Sequence, residues 1–285
     1  MSAVAPLRTT GLRHAEFHID PARDALWNMS CDNWMATSAP LMVGTGIFRV
    51  YQWRPAGLTI GVNQRWERAL DISALSPGEI AVRRITGGRA IYHDSSELTY
   101  SLALELSHLG PAEVNAVSGA VSWGIMQFLR SSGLEPEFTS SRKARPLNHG
   151  QSSRHCFDSL ARHEITVGGK KVAAGAQRVF PTRYFQHGSI KLSGARPHPA
   201  LHGSADLPRS HDTGQKESGD DDSRAGAKRA KLLSLSGFMA EAFGVSHEVS
   251  EWSSTEDRII GRDSHDPDIC VGFQSQIPDA EARST

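Results

Sequence analysis

Apolar residues recur at helical spacing in three stretches of this chain. Over residues 21–36, Leu26, Met29, Asn33 and Ala36 fall on one broad face and Pro21 suits a first turn, so a helix is expected. Pro111–Ser131 is the strongest helical pattern, with Val114, Val117, Val121, Ile125, Phe128 and Leu129 on one side and Gly133 as its stop. Ala230–Phe243 repeats the pattern through Leu232, Leu235, Met239 and Phe243, and Gly244 closes it. Elsewhere the apolar positions come in short runs. Ile47–Trp53 and Leu58–Val62 read as two strands joined by a turn at Pro55-Ala56-Gly57. Glu79–Arg84, the alternating Ala90–His93 and Glu97–Leu106 follow, the last as a strand of a well-covered sheet. Glu135–Gln151 is polar and reads as a loop. His163–Val167, Lys171–Ala174 and Gln186–Leu192 are short strands, with Gly168-Gly169 as a hairpin turn between the first two.

Strands outnumber helices and come in hairpin-like pairs, which favours an α+β fold with a mixed β-sheet flanked by helices. One catalytic-type domain is expected over residues 24–250. Residues 195–228 are rich in Pro, Gly, Ser, Asp and His and nearly free of large apolar side chains. Such a stretch buries too little surface to offset its ordering entropy, so a flexible insertion is expected there, with His198, His202 and His211 solvated. Residues 255–285 are a weakly patterned tail.

Composition narrows the classes. The 285 residues are 39% hydrophobic and 22% charged, enough for a core, and 31 basic residues balance 31 acidic ones. That balance points away from nucleic acid and membrane surfaces. The apolar runs are too short to span a bilayer, and residues 1–20 lack a signal-type apolar segment. Three scattered cysteines fit a reducing, cytoplasmic setting and neither a disulfide framework nor a metal site.

The candidate chemistry lies in four places. Arg83-Arg84-Ile85-Thr86-Gly87-Gly88-Arg89 runs two arginines into a Gly-Gly turn, either an anion cradle of backbone N–H groups or a plain turn with solvated arginines. Cys156 follows Arg154 and His155, and adjacent cations favour a thiolate; the alternative is an inert buried cysteine, the reading taken for Cys31 and Cys270. Lys170-Lys171, before the small residues Ala173 to Ala176, can send one lysine into a cleft, or both into solvent. Gln186-His187-Gly188-Ser189 places a histidine beside glycine in a strand, as an acid–base group or as a satisfied ring at a kink.

In this order the motifs resemble the lipoate–protein ligase and octanoyltransferase family, which shares the biotin–protein ligase catalytic fold. The likeness runs over about residues 24–193: Asn28-Met29-Ser30-Cys31-Asp32, then Trp53-x-Pro55 with Ile60-Gly61-Val62-Asn63-Gln64, the Arg83–Gly88 signature through His93 to Ser101, Gly169-Lys170-Lys171 to Gln177, and Gln186–Ser189. The resemblance implies either ATP-dependent ligation through lipoyl-AMP, with ATP and Mg as cofactors, or cofactor-free transfer of octanoyl from a carrier thioester through an acyl-cysteine to a lysine of a lipoyl domain. Gly-Gly-Arg89 at the turn and Cys156-Phe157 before the Glu164–Val167 strand resemble the cysteine-dependent branch. On that reading Cys156 is the nucleophile and Lys171 binds the acyl carbonyl. Arg84, Thr86, Gly87, Gly88, His93, Gln177, His187 and Gly188 then bind substrate, and no metal is held. The implied partners are an acyl carrier protein or octanoylated donor, and lipoyl-domain proteins such as the glycine cleavage H protein and dehydrogenase E2 subunits. A non-catalytic relative that only binds acyl groups or lipoyl domains is a further alternative. The family's Lys-x-Ala-Gly-Ser-Ala-Gln reads Lys171-Val172-Ala173-Ala174-Gly175-Ala176-Gln177 here, so a narrower pocket is expected at Ala174.

Overall fold

The structure, a computed structural model, describes residues 11–139, 164–192, 198–201, 221–263 and 270–271. Its strands are β1 (His14–Ile19), β2 (Thr45–Tyr51), β3 (Gly57–Ile60), β4 (Ala81–Arg83), β5 (Ile91–His93), β6 (Leu98–Glu105), β7 (Pro136–Thr139), β8 (Glu164–Val167), β9 (Lys170–Val179), β10 (Arg183–Ile190), β11 (Val249–Ser250) and β12 (Cys270–Val271). Its helices are α1 (Ala25–Thr37), α2 (Trp66–Ala69), α3 (Pro111–Ser131), α4 (Asp221–Phe243) and α5 (Ser254–Asp263). Eight strands form a mixed sheet in the order β11-β1-β2-β6-β10-β9-β8-β7, and four form a smaller one, β12-β4-β3-β5. The α+β expectation holds.

Alternation along the central strands assigns the two faces of the large sheet. Tyr100, Leu102 and Leu104 of β6 pack with Val121, Phe128, Leu235 and Phe243 of α3 and α4. On the other face, Ile47, Ala103 and Phe185 pack against Trp34, Met35 and Ala36 of α1. The small sheet lies beyond the N-terminal end of α1, where Ala25 and Met29 meet Tyr51, Trp53 and Val82. The functional cavity opens between α1, this small sheet and the large one.

Several boundaries differ from the pattern. α1 begins at Ala25 and not near Pro21, because the Asp24 carboxylate accepts the Trp27 N–H at 2.8 Å and caps the helix there. β2 and β3 are not a hairpin: after Tyr51 the chain leaves the large sheet, and β3 pairs with β4 and β5 in the small one. The Gly168-Gly169 turn is as expected, with both residues at positive φ. α4 starts at Asp221, inside the 195–228 stretch, where helix formers such as Ala225, Ala227 and Lys228 support it. His198 is buried, not solvated: it stacks on Tyr92 at 4.5 Å and meets the Glu79 carboxylate at 3.2 Å. α5 lies within the stretch read as a tail and buries Ile260 in the α1 cluster. Among the described residues, no helix is long and apolar enough to cross a membrane.

Candidate active site

The cavity is partly open to solvent and is walled by Met29 of α1, Tyr51, Trp53, Ile91 and the small residues Ala174 and Ala176 of β9. Arg84, His93, His187 and Gly188 also line it. The β9–β10 register explains why. His187 pairs with Ala176, and Ser189 with Ala174, so their side chains share the face toward α1. Gly175, Gly188 and Tyr100 form the neighbouring rung on the opposite face. A Cβ at Gly188 would lie 2.5 Å from the Ala174 carbonyl and 2.6 Å from the Tyr100 hydroxyl, so glycine is needed there for close strand approach.

The same alternation sends Gln177 away from the cavity. Its Oε1 accepts from Ser118 of α3 at 2.7 Å and from the Tyr184 hydroxyl at 2.8 Å, behind the sheet. Lys171 is placed differently. A bulge interrupts the β8–β9 pairing, where Ile165 meets Ala173 but Thr166 meets Lys171. The extra residue puts Lys171 in register with Thr166, on the face opposite Ala173; it is buried but is not among the residues that line the cavity. Without it Lys171 would share a face with Ala173 and Gly175.

The Gly-Gly turn is held from within. Arg84 donates from Nε and Nη2 to the Gly87 carbonyl, from Nη2 to the Arg89 carbonyl at 2.8 Å, and from Nη1 to the Thr59 hydroxyl at 3.2 Å. Gly88 sits at φ 97°, and a Cβ there would lie 2.7 Å from Arg84 Nη2. Arg84 is thus committed to the turn's carbonyls, and Arg83 to those of Gly61, Val62 and Gln64. For Arg83 and Arg84 the solvated-arginine reading fails: both guanidiniums bond backbone carbonyls.

Two buried histidines flank the cavity, and each is fixed in the same way. His93 Nδ1 lies 2.7 Å from Glu97 Oε1 and its Nε2 lies 2.8 Å from Thr59 Oγ1. A carboxylate only accepts, so Nδ1 carries the proton and Nε2 accepts from the threonine hydroxyl. Trp53 stacks on this ring at 3.9 Å. Burial pushes the His93 pKa below its ordinary value, against the pull of Glu97, so the ring is neutral. Glu97 also accepts from Thr99 and Ser189, each at 2.9 Å, and pairs with Lys191 at 2.5 Å. Burial alone would raise its pKa, but Lys191 and His93 outweigh this and hold it at about 2. His187 is held similarly: Nδ1–H donates to Asp32 Oδ2 at 2.7 Å and Nε2 lies 2.5 Å from Thr86 Oγ1. Thr86 is therefore a prop for His187, not part of the wall. Asp32 also takes Tyr51 at 3.0 Å and Arg49 at 3.1 Å, and Arg49 reaches Asp20 through Nε.

Of the residues singled out from sequence, Arg84, His93, His187 and Gly188 reach the cavity; Thr86, Gly87 and Gly88 support it; Gln177 faces elsewhere. Cys156 lies outside the described residues. Asp32, Arg49, Glu97 and Lys191 were not singled out, although a charge inside an apolar strand or on a helix's buried face is a signal in its own right.

A search against protein families matches the lipoyl protein ligase A/B catalytic domain over residues 24–248. The chain belongs to this family. Among its lipoyl-ligase-family relatives, octanoyltransferase LipM of Macrococcus caseolyticus is 33% identical over 171 residues, covering 59% of this chain and 62% of that protein. The LipM of Kyrpidia tusciae is 37% identical over 176 residues, with the same coverage. The chain thus aligns with about three fifths of the length of these relatives. The crystal structure of a lipoate-protein ligase A bound with ATP superposes with a TM-score of 0.60 at 15% identity, over 87% of this chain and 93% of that one. The lipoate ligase Ta0514 of Thermoplasma acidophilum with bound lipoic acid gives 0.58 at 16%, over 88% and 93%. At such identities the likeness is one of fold.

Proposed function

We propose that this chain is an octanoyltransferase of protein lipoylation. The Cys156 thiolate attacks the carbonyl of an octanoyl thioester on a carrier protein; the new thioester forms as the carrier thiol leaves with a proton. The amine of a target lysine on a lipoyl domain then attacks the acyl-cysteine, an amide forms, and Cys156 is released as the thiol. One thioester replaces another in the first step, so no ATP is consumed. Lys171, buried on β9, is assigned to the acyl carbonyl oxygen.

The observation that carries this reading is the character of the cavity. Its walls are Met29, Tyr51, Trp53, Ile91 and alanines, while its arginine and both histidines are bonded to the protein. A site so arranged suits an uncharged chain better than a phosphate. Burial contributes about 0.8 kcal/mol per CH₂, so an octanoyl tail gains roughly 5 kcal/mol here. The LipM names of its relatives support the same choice.

Intact-mass spectrometry tests the reading. Incubation with octanoyl-carrier protein, without ATP, adds one octanoyl group to the wild type and none to Cys156→Ser. Labelling of a lipoyl domain that requires ATP and survives Cys156→Ala refutes it in favour of a ligase. Octanoate binding without transfer under either condition refutes it in favour of a binding protein.

A further inference from the structure

The family match ends at residue 248, yet a residue beyond it is wired to the cavity. β11 adds to the edge of β1, pairing Val249 with Phe17 and Ser250 with His18, and so delivers Trp252 over the end of β1. The indole stacks on His18 at 3.6 Å and 4°, and meets Trp34 of α1 edge-on at 5.7 Å. Its Nε1–H donates to Asp20 Oδ1 at 2.7 Å. The other oxygen of Asp20 accepts from Arg49 Nε, Arg49 Nη1 donates to Asp32 Oδ1, and Asp32 Oδ2 holds His187 Nδ1–H.

We propose that Trp252 is a positioning residue for His187, sealing the buried line Asp20–Arg49–Asp32 from water. Asp20, Arg49, Asp32 and His187 are all at least nine-tenths buried, while Trp252 is only partly so and presents its outer edge to solvent. Two carboxylates here face one guanidinium. The second negative charge is met by His187 Nδ1–H and the Tyr51 hydroxyl. These bonds are strong because the surroundings are dry, and water at Asp20 weakens its hold on Arg49 and lets the guanidinium, Asp32 and the ring shift together. Stacking on His18 keeps the indole flat over this point.

The inference concerns the placement of the ring and stands apart from the acyl chemistry, so its test does not use activity. In the full chain labelled with ¹⁵N-histidine, the carboxylate-bonded His187 Nδ1–H gives a downfield proton resonance, identified by its loss in His187→Gln. Trp252→Ala, folded by circular dichroism, is expected to speed exchange of that proton with water by about tenfold or more, through easier local opening. Trp252→Phe keeps a flat ring on His18 and is expected to restore slow exchange to within about threefold on the same scale. Should the alanine variant not fold, Trp252→Leu, which keeps apolar bulk without the stack, must show the same acceleration. An unchanged resonance in a folded Ala or Leu variant, or no rescue by Phe, overturns the proposal.

Discussion

Glu97→Gln probes the most heavily committed carboxylate beside the cavity. Glu97 accepts from His93, Thr99 and Ser189 through one oxygen and pairs with Lys191 through the other. Both members of the ion pair are buried, at 1% and 3% exposure. Its pKa of about 2, against the ordinary 4.5, corresponds to roughly 3 kcal/mol of stability. Breaking a buried pair from one side costs about 3–5 kcal/mol, the same size. The glutamine can still accept from His93, but its amide faces the ammonium, so Lys191 loses its carboxylate and keeps the Tyr92 carbonyl. With a urea m-value of about 3 kcal/mol per molar, the midpoint falls by about 1 M. The sign of the pH dependence follows from the depressed pKa: the contribution is complete above pH 4.5 and is lost as pH falls toward 2. The wild type therefore loses about 3 kcal/mol across that window that Glu97→Gln does not. His93, also lowered, adds an earlier loss as pH falls below 6.5, because the unfolded chain takes up its proton more readily. The assay is urea unfolding by tryptophan fluorescence from pH 7 to 2, for the wild type, Glu97→Gln, Lys191→Met and the double variant. The double variant should lose less than the two single variants summed by about 2 kcal/mol. Additive losses, or a glutamine variant within about 0.5 kcal/mol of the wild type, refute the reasoning.

Gly88→Ala forces a side chain into a positive-φ position and against Arg84; a loss of about 1–3 kcal/mol in urea unfolding is expected, with a slower rate of cysteine acylation. Gly175→Ser places a Cβ 2.7 Å from the Tyr100 hydroxyl, so thermal unfolding should show about 1–3 kcal/mol of destabilisation, of which Tyr100→Phe in the same chain recovers about half. Cys31 is fully buried and burial pushes its thiol pKa well up, so a thiol-specific chromophore at pH 8 should leave it unmodified in the folded protein and reach it only after denaturation.

The helices that cover the large sheet were readable because a sheet face demands a continuous apolar stripe, and α3 shows one along its whole length. α4 was readable only where it touches the sheet; Ala225–Lys231 before that are exposed or half-buried and carry no period. β1 alternates at its start, with Ala15 and Phe17 buried and His14 and Glu16 exposed, yet no element was assigned there from the sequence. What local pattern cannot supply is the pairing of distant strands. Nothing around Pro55 says that the chain changes sheets there, since either sheet gives β3 an apolar environment. The motif residues were legible as a set, yet not their orientation. Gln177 and Ala176 are neighbours in sequence and lie on opposite faces, and Lys171 depends on a bulge that no spacing rule reveals.

The supporting charges explain why the cavity can be apolar and still contain two histidines, an arginine and several hydroxyls. Each polar wall group has its hydrogen-bonding capacity directed backward. Thr59 donates to His93 and accepts from Arg84, and Thr86 is hydrogen-bonded to His187. Each ring's Nδ1 proton is then fixed by a carboxylate whose own charge is met by Lys191 or Arg49. The neutral His93 ring, whose Nε2 already accepts the Thr59 hydroxyl proton, is poorly placed to act as a base. The His93 ring therefore serves the site as rigid wall, and the His187 ring is held between Asp32 and Thr86 in the same manner. Rigidity of this kind favours a chain of fixed length and shape, because a wall that does not relax cannot close around a shorter tail or yield to a longer one.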